Sequence, residues 1–122
     1  MQTCQISFIL SSFLFLTLAF SSCTTESITY DCTSIAPTYN DHIKSIMDVQ
    51  CAYSGCHDAV SKEDGIDLST YATVSGESSR ARFMGSMHHE GSYNRMPEGE
   101  PKLSTSNLQK IYCWIQNGTP EQ

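Results

Sequence analysis

Two cysteines and a histidine near the middle of the chain are the residues whose types and spacing point most directly to chemistry. Residues 51–57 read C-A-Y-S-G-C-H. Thiols are nucleophiles that can add to the two vinyl groups of haem, and a histidine directly after the second thiol then lies under the iron. This segment predicts covalent attachment of one haem to Cys51 and Cys56, with His57 as an axial ligand of the iron.

The same two cysteines also permit a simpler interpretation. Cys51 and Cys56 can form a disulfide bond with each other, because exported proteins use such bridges freely. His57 is then a surface histidine, and the domain is a cofactor-free, disulfide-stapled binding module. The spacing of the two thiols and the histidine, together with the export signal at the N-terminus, favours haem attachment over this alternative.

The N-terminus has the pattern of an export signal followed by a lipid-attachment site. Residues 6–20 are apolar and uncharged, a run shorter than the roughly 20 residues that span a bilayer and typical of a secretory signal. The following Ser21-Ser22-Cys23 resembles the lipobox of bacterial lipoproteins, in which the cysteine is acylated and becomes the first mature residue. An ordinary signal peptide and an uncleaved signal anchor are the alternatives.

These features divide the chain into three parts. We expect a lipoprotein signal peptide over residues 1–22, a lipidated and Ser/Thr-rich tether over residues 23–36, and a folded domain over residues 37–122. The domain is then exported and anchored to a membrane of the cell envelope, facing the periplasm or the cell surface.

The chain has six cysteines, of which two have no role in the signal or the motif. Cys4 is lost with the signal, and Cys23 is the expected lipidation site. Cys32 and Cys113 remain, and export places them in an oxidising compartment where disulfides persist. We expect a Cys32–Cys113 disulfide that pins the N-terminal segment, with two separate buried thiols as the alternative.

Composition limits the partners and the activity. The chain carries 13 acidic and seven basic residues, for a net charge of −6, so it has no electrostatic reason to bind nucleic acid or an anionic membrane surface. The acidity weakly favours a partner with a basic patch. The carboxylates show no paired arrangement that suggests acid–base catalysis, and we do not expect an enzyme.

The periodicity of apolar residues predicts a mostly helical domain, because the alternation typical of strands is not sustained anywhere. A first helix is expected to carry an apolar stripe from Tyr39, to be capped by Thr38 or Asn40, and to end near Gln50. A second, short helix is expected to begin at Asp67 or Ser69, and a third to run over residues 79–88. The last helix is expected between a cap at residues 104–106 and Gly118, with an apolar stripe of Leu108, Ile111, Tyr112 and Ile115.

In order and spacing, these pieces resemble the class I cytochrome c-like domains of bacterial envelope proteins, over residues 39–118. Such domains have a helix before the haem motif, a methionine (often in a Met-Pro pair) downstream, and a closing helix that carries Trp-Ile and a glycine. This chain has Met96-Pro97, Trp114-Ile115 and Gly118. Four residues rather than two lie between its motif cysteines, a known minority spacing among c-type cytochromes.

The resemblance implies a small all-α domain wrapped around one covalent haem c, with His57 and Met96 as the two axial ligands. With both axial positions filled, it implies electron transfer to redox partner proteins of the envelope rather than oxygen or peroxide chemistry. The side chains expected to cover one face of the haem are Tyr53, Leu68, Tyr71, Phe83, Ile111 and Trp114.

Other sulfur and imidazole groups leave two alternatives open. Met84 or Met87 can replace Met96 as the distal ligand, although both fall on a predicted helix face where methionine usually packs. The same methionines, with His88 and His89, can form a His/Met copper site, since thioether and imidazole suit Cu(I).

Overall fold

The computed structural model describes residues 28–122, and within them it is helical without strands, which confirms the predicted all-α class. The predicted signal peptide and the lipidation site at Cys23 lie outside the described residues. A π-helical turn, Tyr39–Ile43, continues directly into α1, and a 3-10 turn, Glu63–Gly65, follows the motif. The helices are α1 (Lys44–Gln50), α2 (Tyr71–Ser78), α3 (Ala81–His88) and α4 (Thr105–Gln116). None of these helices is long and apolar enough to cross a membrane.

The first helical segment buries the stripe that its sequence predicts and ends at Gln50, as expected. Its start differs from the expectation, because neither Thr38 nor Asn40 caps it through a side-chain oxygen. The backbone N–H of Thr38 donates instead to Nδ1 of His42 at 3.2 Å. The Cys51 N–H still donates to the Met47 carbonyl at 2.9 Å, so the 51–57 motif begins on the last turn of α1.

The second helix begins later than either predicted start. The Asp67 carboxylate accepts hydrogen bonds from the backbone N–H and the hydroxyl of Ser69, at 2.9 and 2.5 Å. This local turn competes with helix formation and keeps Asp67 and Ser69 out of α2. Thr70 then caps α2 in a capping box with Thr73.

The third helix begins at Ala81 rather than at residue 79. Ser79 ends α2, and Arg80 is extended with φ −90° and ψ 133°, so the chain changes direction between the two helices. The helix ends at His88, and His89 adopts the left-handed conformation with φ 58°.

The fourth helix forms the centre of the domain. Ser104 caps it by accepting the N–H of Asn107 at 3.2 Å, and Gly118 follows its end with φ +82°, as a C-terminal glycine should. Its fully buried Trp114 donates from Nε1 to the Pro120 carbonyl at 2.9 Å. The buried face, Leu108, Ile111, Cys113 and Trp114, differs from the predicted stripe because Tyr112 and Ile115 are only partly buried.

The core lies between the first helical segment and α4. The rings of Tyr39 and Trp114 lie 6.1 Å apart, and the C-terminal tail crosses the start of the first segment, where Tyr39 N–H donates to the Pro120 carbonyl at 2.9 Å. The buried apolar cluster comprises Tyr39, Ile43, Ile46, Met47, Leu68, Val74, Phe83, Met87, Leu103, Leu108, Ile111 and Trp114. One side of this core, near α3, borders the candidate site.

Candidate functional site

A cavity of about 560 Å³ lies between the 51–57 motif, α3 and the loop that follows α3. Its volume falls within the range of cofactor sites, about 300–1,000 Å³. Cys51, Cys56, His57 and Met96 all line it. The four side chains that the sequence predicts to hold a haem therefore meet at one cavity, although Met96 is far from the other three in the sequence.

The motif folds back on itself, which accommodates its four-residue spacing. His57 N–H donates to the Cys51 carbonyl at 3.1 Å, and Cys56 N–H donates to the Tyr53 carbonyl at 3.0 Å. Gly55 occupies the outside of this bulge with φ +89°, a conformation that favours glycine, and its N–H donates to the Ser61 hydroxyl at 2.9 Å. Both cysteines and His57 consequently face the same space.

The His57 ring is buried, and its orientation is fixed by a backbone group. Nδ1 lies 3.3 Å from the carbonyl oxygen of Ile66. Because a carbonyl only accepts, Nδ1 carries the hydrogen and Nε2 keeps its lone pair. Metal-ligating histidines are held in the same way, with the second ring nitrogen donating to a carbonyl or carboxylate. The arrangement prepares His57 to bind a metal through Nε2.

The two motif thiols are free and partly buried. Burial, with a smaller contribution from the neighbouring Cys56, raises the pKa of Cys51 to about 12. A hydrogen bond with the Cys56 thiol raises the pKa of Tyr53, which stands beside it. Cys51 is therefore a neutral thiol at physiological pH.

Met96 reaches the cavity from the loop after α3. Its backbone N–H donates to the Ser86 carbonyl at 3.1 Å, and Nε2 of His89 lies 3.0 Å from its carbonyl oxygen. Met87, which is buried on α3, also lines the cavity. Met84 packs against the core instead. Two of the three candidate methionines thus reach the cavity.

The apolar wall only partly matches the expected haem-covering residues. Tyr53, Leu68 and Phe83 line the cavity, together with Ile66. The other three, Tyr71, Ile111 and Trp114, are not in its lining. Ile111 and Trp114 face the core because α4 packs on the first helical segment, and the Tyr71 hydroxyl donates to the Thr119 carbonyl at 2.9 Å.

The rim of the cavity is acidic. Its carboxylates belong to Glu63, Asp64, Glu77 and Glu98, and its only described cation is Arg82. Nη2 of Arg82 lies 3.0 Å from Oε2 of Glu77, and Nε of Arg80 lies 3.3 Å from Oε1 of the same carboxylate. One arginine therefore stands at the cavity, already neutralised by a neighbouring carboxylate.

The paired histidines after α3 have separate surroundings. His88 is buried, its Nε2 lies 3.2 Å from the Tyr30 hydroxyl, and burial lowers its pKa. His89 turns to the Met96 carbonyl. Within residues 28–122, no three side chains of His, Cys, Asp or Glu converge as a metal site.

The other two cysteines that the structure describes lie away from the cavity lining. Cys32 and Cys113 form a disulfide, the pair that the cysteine count favoured.

Compared with protein-family models, with curated proteins and with solved structures, the chain shows no significant match to any of them.

Proposed function

We propose that this chain is a single-haem c-type cytochrome that carries electrons at the cell envelope. In this proposal Cys51 and Cys56 would hold the haem through thioether bonds, and His57 and Met96 would ligate its iron. The observation that carries the proposal is that two free thiols, an oriented imidazole and a methionine from a distant loop line one cavity.

The donor set suits haem better than a bare metal ion. Nε2 of His57 keeps its lone pair because Nδ1 is engaged by the Ile66 carbonyl, and a thioether is a weak, soft ligand that favours ferrous iron. When bound, haem supplies a one-electron redox couple. His57 and Met96 would both be occupied as ligands of the iron, so the chain would offer the haem to electron transfer rather than to a substrate.

The surroundings of the cavity favour a positively charged redox partner. Four carboxylates and one paired arginine line the cavity, and the whole chain carries a net charge of −6. Opposite charges on two proteins accelerate their encounter, and salt screens this effect. Electron exchange with a basic partner should therefore slow as ionic strength rises.

Expression in cells that mature c-type cytochromes tests the proposal directly. The wild-type protein should show a c-type haemochrome spectrum, and its haem should remain attached after denaturation. The variant with Cys51→Ser and Cys56→Ser should lose covalent haem. A matched control, Cys32→Ser with Cys113→Ser, removes two other cysteines and should keep it. Covalent haem in the first double variant contradicts the proposal.

Metal content and mass separate this proposal from its rivals. Iron in the purified protein supports the cytochrome, whereas copper without iron supports a His/Met copper protein. An intact mass that is lower than the mass calculated from the sequence only by the hydrogens lost in disulfides supports a cofactor-free module. His88 and His89 point to different partners, so nothing in their arrangement favours the copper alternative.

The lipid anchor is a separate part of the proposal. Acylation at Cys23 would hold the protein at a membrane of the envelope, facing the periplasm or the cell surface. The variant Cys23→Ser should move from the membrane fraction to the soluble exported fraction and should lose a radiolabelled fatty acid. A wild-type protein that takes up no fatty acid contradicts the anchor without affecting the haem proposal.

A further inference from the structure

The loop that carries Met96 is fastened to the end of α3 at two backbone atoms of that methionine. The N–H of Met96 donates to the Ser86 carbonyl at 3.1 Å. Its carbonyl lies 3.0 Å from Nε2 of His89. Because a carbonyl only accepts, Nε2 of His89 carries the donated hydrogen. Both polar backbone groups of Met96 are therefore bound to residues of one helix terminus.

The conformation of His89 makes this contact possible. His89 follows the last residue of α3 and is left-handed, with φ 58° and ψ 41°. Its own N–H donates to the Ser86 carbonyl at 3.2 Å. Left-handed backbone is uncommon for residues other than glycine, although asparagine, aspartate and histidine adopt it more often than the rest. In this conformation the imidazole of His89 reaches the carbonyl oxygen of Met96.

The connection from α3 to Met96 touches the helix through the Tyr93 ring, which lies against Gly85. Residues 91–95, which connect α3 to Met96, are exposed throughout. Among the described residues, no N–H group of residues 91–95 donates a backbone hydrogen bond, and the next one that does is the N–H of Met96. The two bonds of the Met96 backbone are therefore the hydrogen bonds that fasten this residue to the end of α3.

We propose that His89 is a positioning residue for Met96. Its ring holds the Met96 carbonyl and so keeps the thioether sulfur at the iron. This inference rests on the proposed role of Met96 as distal ligand. His89 is not in the lining of the cavity, so it acts through Met96 and does not touch the haem.

A purely structural role as the cap of α3 is the competing explanation, and substitution can separate the two. His89→Gly removes the ring but suits the left-handed backbone, so the end of the helix is kept. His89→Gln places an amide N–H close to the position of Nε2. Lys62→Gly is the matched control, because Lys62 is also left-handed, with φ 45°, and makes no described contact with Met96.

Imidazole, which competes with Met96 for the iron, is the probe. It is titrated into the ferric holoprotein and followed by absorption. His89→Gly should bind imidazole about tenfold more tightly than wild type, the effect of losing roughly one hydrogen bond on the competing ligand. His89→Gln and Lys62→Gly should stay within about twofold of wild type. The Met96 amide should also exchange its hydrogen faster in His89→Gly.

The outcomes distinguish this inference from the proposed function. If Met96→Ala binds imidazole much more tightly than wild type while His89→Gly matches wild type, the positioning role is overturned and Met96 remains the ligand. If Met96→Ala also matches wild type, Met96 is not the distal ligand and the positioning role of His89 fails with it, whereas covalent haem attachment is decided separately by the Cys51→Ser, Cys56→Ser variant. If His89→Gly and Lys62→Gly bind imidazole more tightly than wild type by the same factor, the positioning role is likewise overturned. The effect would then come from placing glycine at a left-handed position and not from loss of the His89 ring.

Discussion

Cys32 and Cys113 are joined by a disulfide that spans 81 residues and fixes the N-terminal segment, residues 28–36, to the buried face of α4. Nε2 of Gln109 donates to the Asp31 carbonyl at 2.7 Å beside it. The Tyr30 ring packs against Tyr112 with centroids 5.4 Å apart. Part of the predicted tether is thus attached to the domain by covalent, polar and aromatic contacts.

Removal of this disulfide should destabilise the domain. The variant with Cys32→Ser and Cys113→Ser should lose about 2–4 kcal/mol of unfolding free energy, because a long loop is no longer closed in the unfolded chain. Urea unfolding of the holoprotein measures the loss. A reductant should lower the wild-type midpoint and leave that of the double variant unchanged. Equal midpoints for the two proteins without reductant contradict the prediction.

The burial of His88 should make stability depend on pH. Burial lowers its pKa below the usual 6.5; Glu90 opposes this shift and Lys102 adds to it. As pH falls below 6.5, the unfolded chain takes up a proton at His88 before the folded protein does, so stability present above that pH is progressively lost. The loss continues down to the folded pKa.

Thermal unfolding between about pH 7.5 and pH 5.5 tests this sign. Wild type should lose more stability on acidification than His88→Gln, which cannot take up the proton. Tyr30→Phe is the matched control, because it removes the hydroxyl bonded to Nε2 of His88 but keeps the ring that buries it. It should retain most of the wild-type pH dependence. A parallel pH dependence in wild type and His88→Gln disproves the assignment.

Features set by neighbouring residues could be predicted from the sequence. The end of the first helix at Gln50 and the cap and closing glycine of α4 follow from local periodicity and capping chemistry. The start of α2 could not be predicted, because it depends on whether the Asp67 side chain bonds to Ser69 or leaves the backbone free to become helical.

The supports of the candidate site carry no signal in the sequence. His57 is oriented by the carbonyl of Ile66, and Met96 is held by the carbonyl of Ser86. Every residue has a carbonyl, so residue type cannot identify these two. The place of Trp114 in the core rather than at the cavity depends on which helix α4 packs against, and periodicity alone does not determine that partner.

Gly85 and Tyr93 should show energetic coupling. A Cβ placed on Gly85, inside α3, would lie 2.5 Å from Cδ2 of Tyr93. Alanine is about 1 kcal/mol more favourable than glycine in a helix, but here it would displace the Tyr93 ring. Gly85→Ala should therefore stabilise the Tyr93→Ala background by about 1 kcal/mol and wild type by clearly less. A double-mutant cycle by urea unfolding measures this difference, and equal effects in both backgrounds exclude the contact.

Met96 and Met87 both line the cavity, and under the proposed function substitution should identify which of them is the distal ligand. Met96→Ala should open the sixth coordination position and lower the reduction potential, because the soft thioether that favours ferrous iron is gone. Met87→Leu keeps volume and apolar character at a buried helix position, so it should cost less than about 1.5 kcal/mol of stability and keep the wild-type spectrum. Absorption spectra and potentiometric titration of both holoproteins measure the effects. The reverse pattern is an altered spectrum in Met87→Leu and an unchanged one in Met96→Ala. It would assign the ligand role to Met87 on α3, and the loop with Met96 and Pro97 would then only line the cavity.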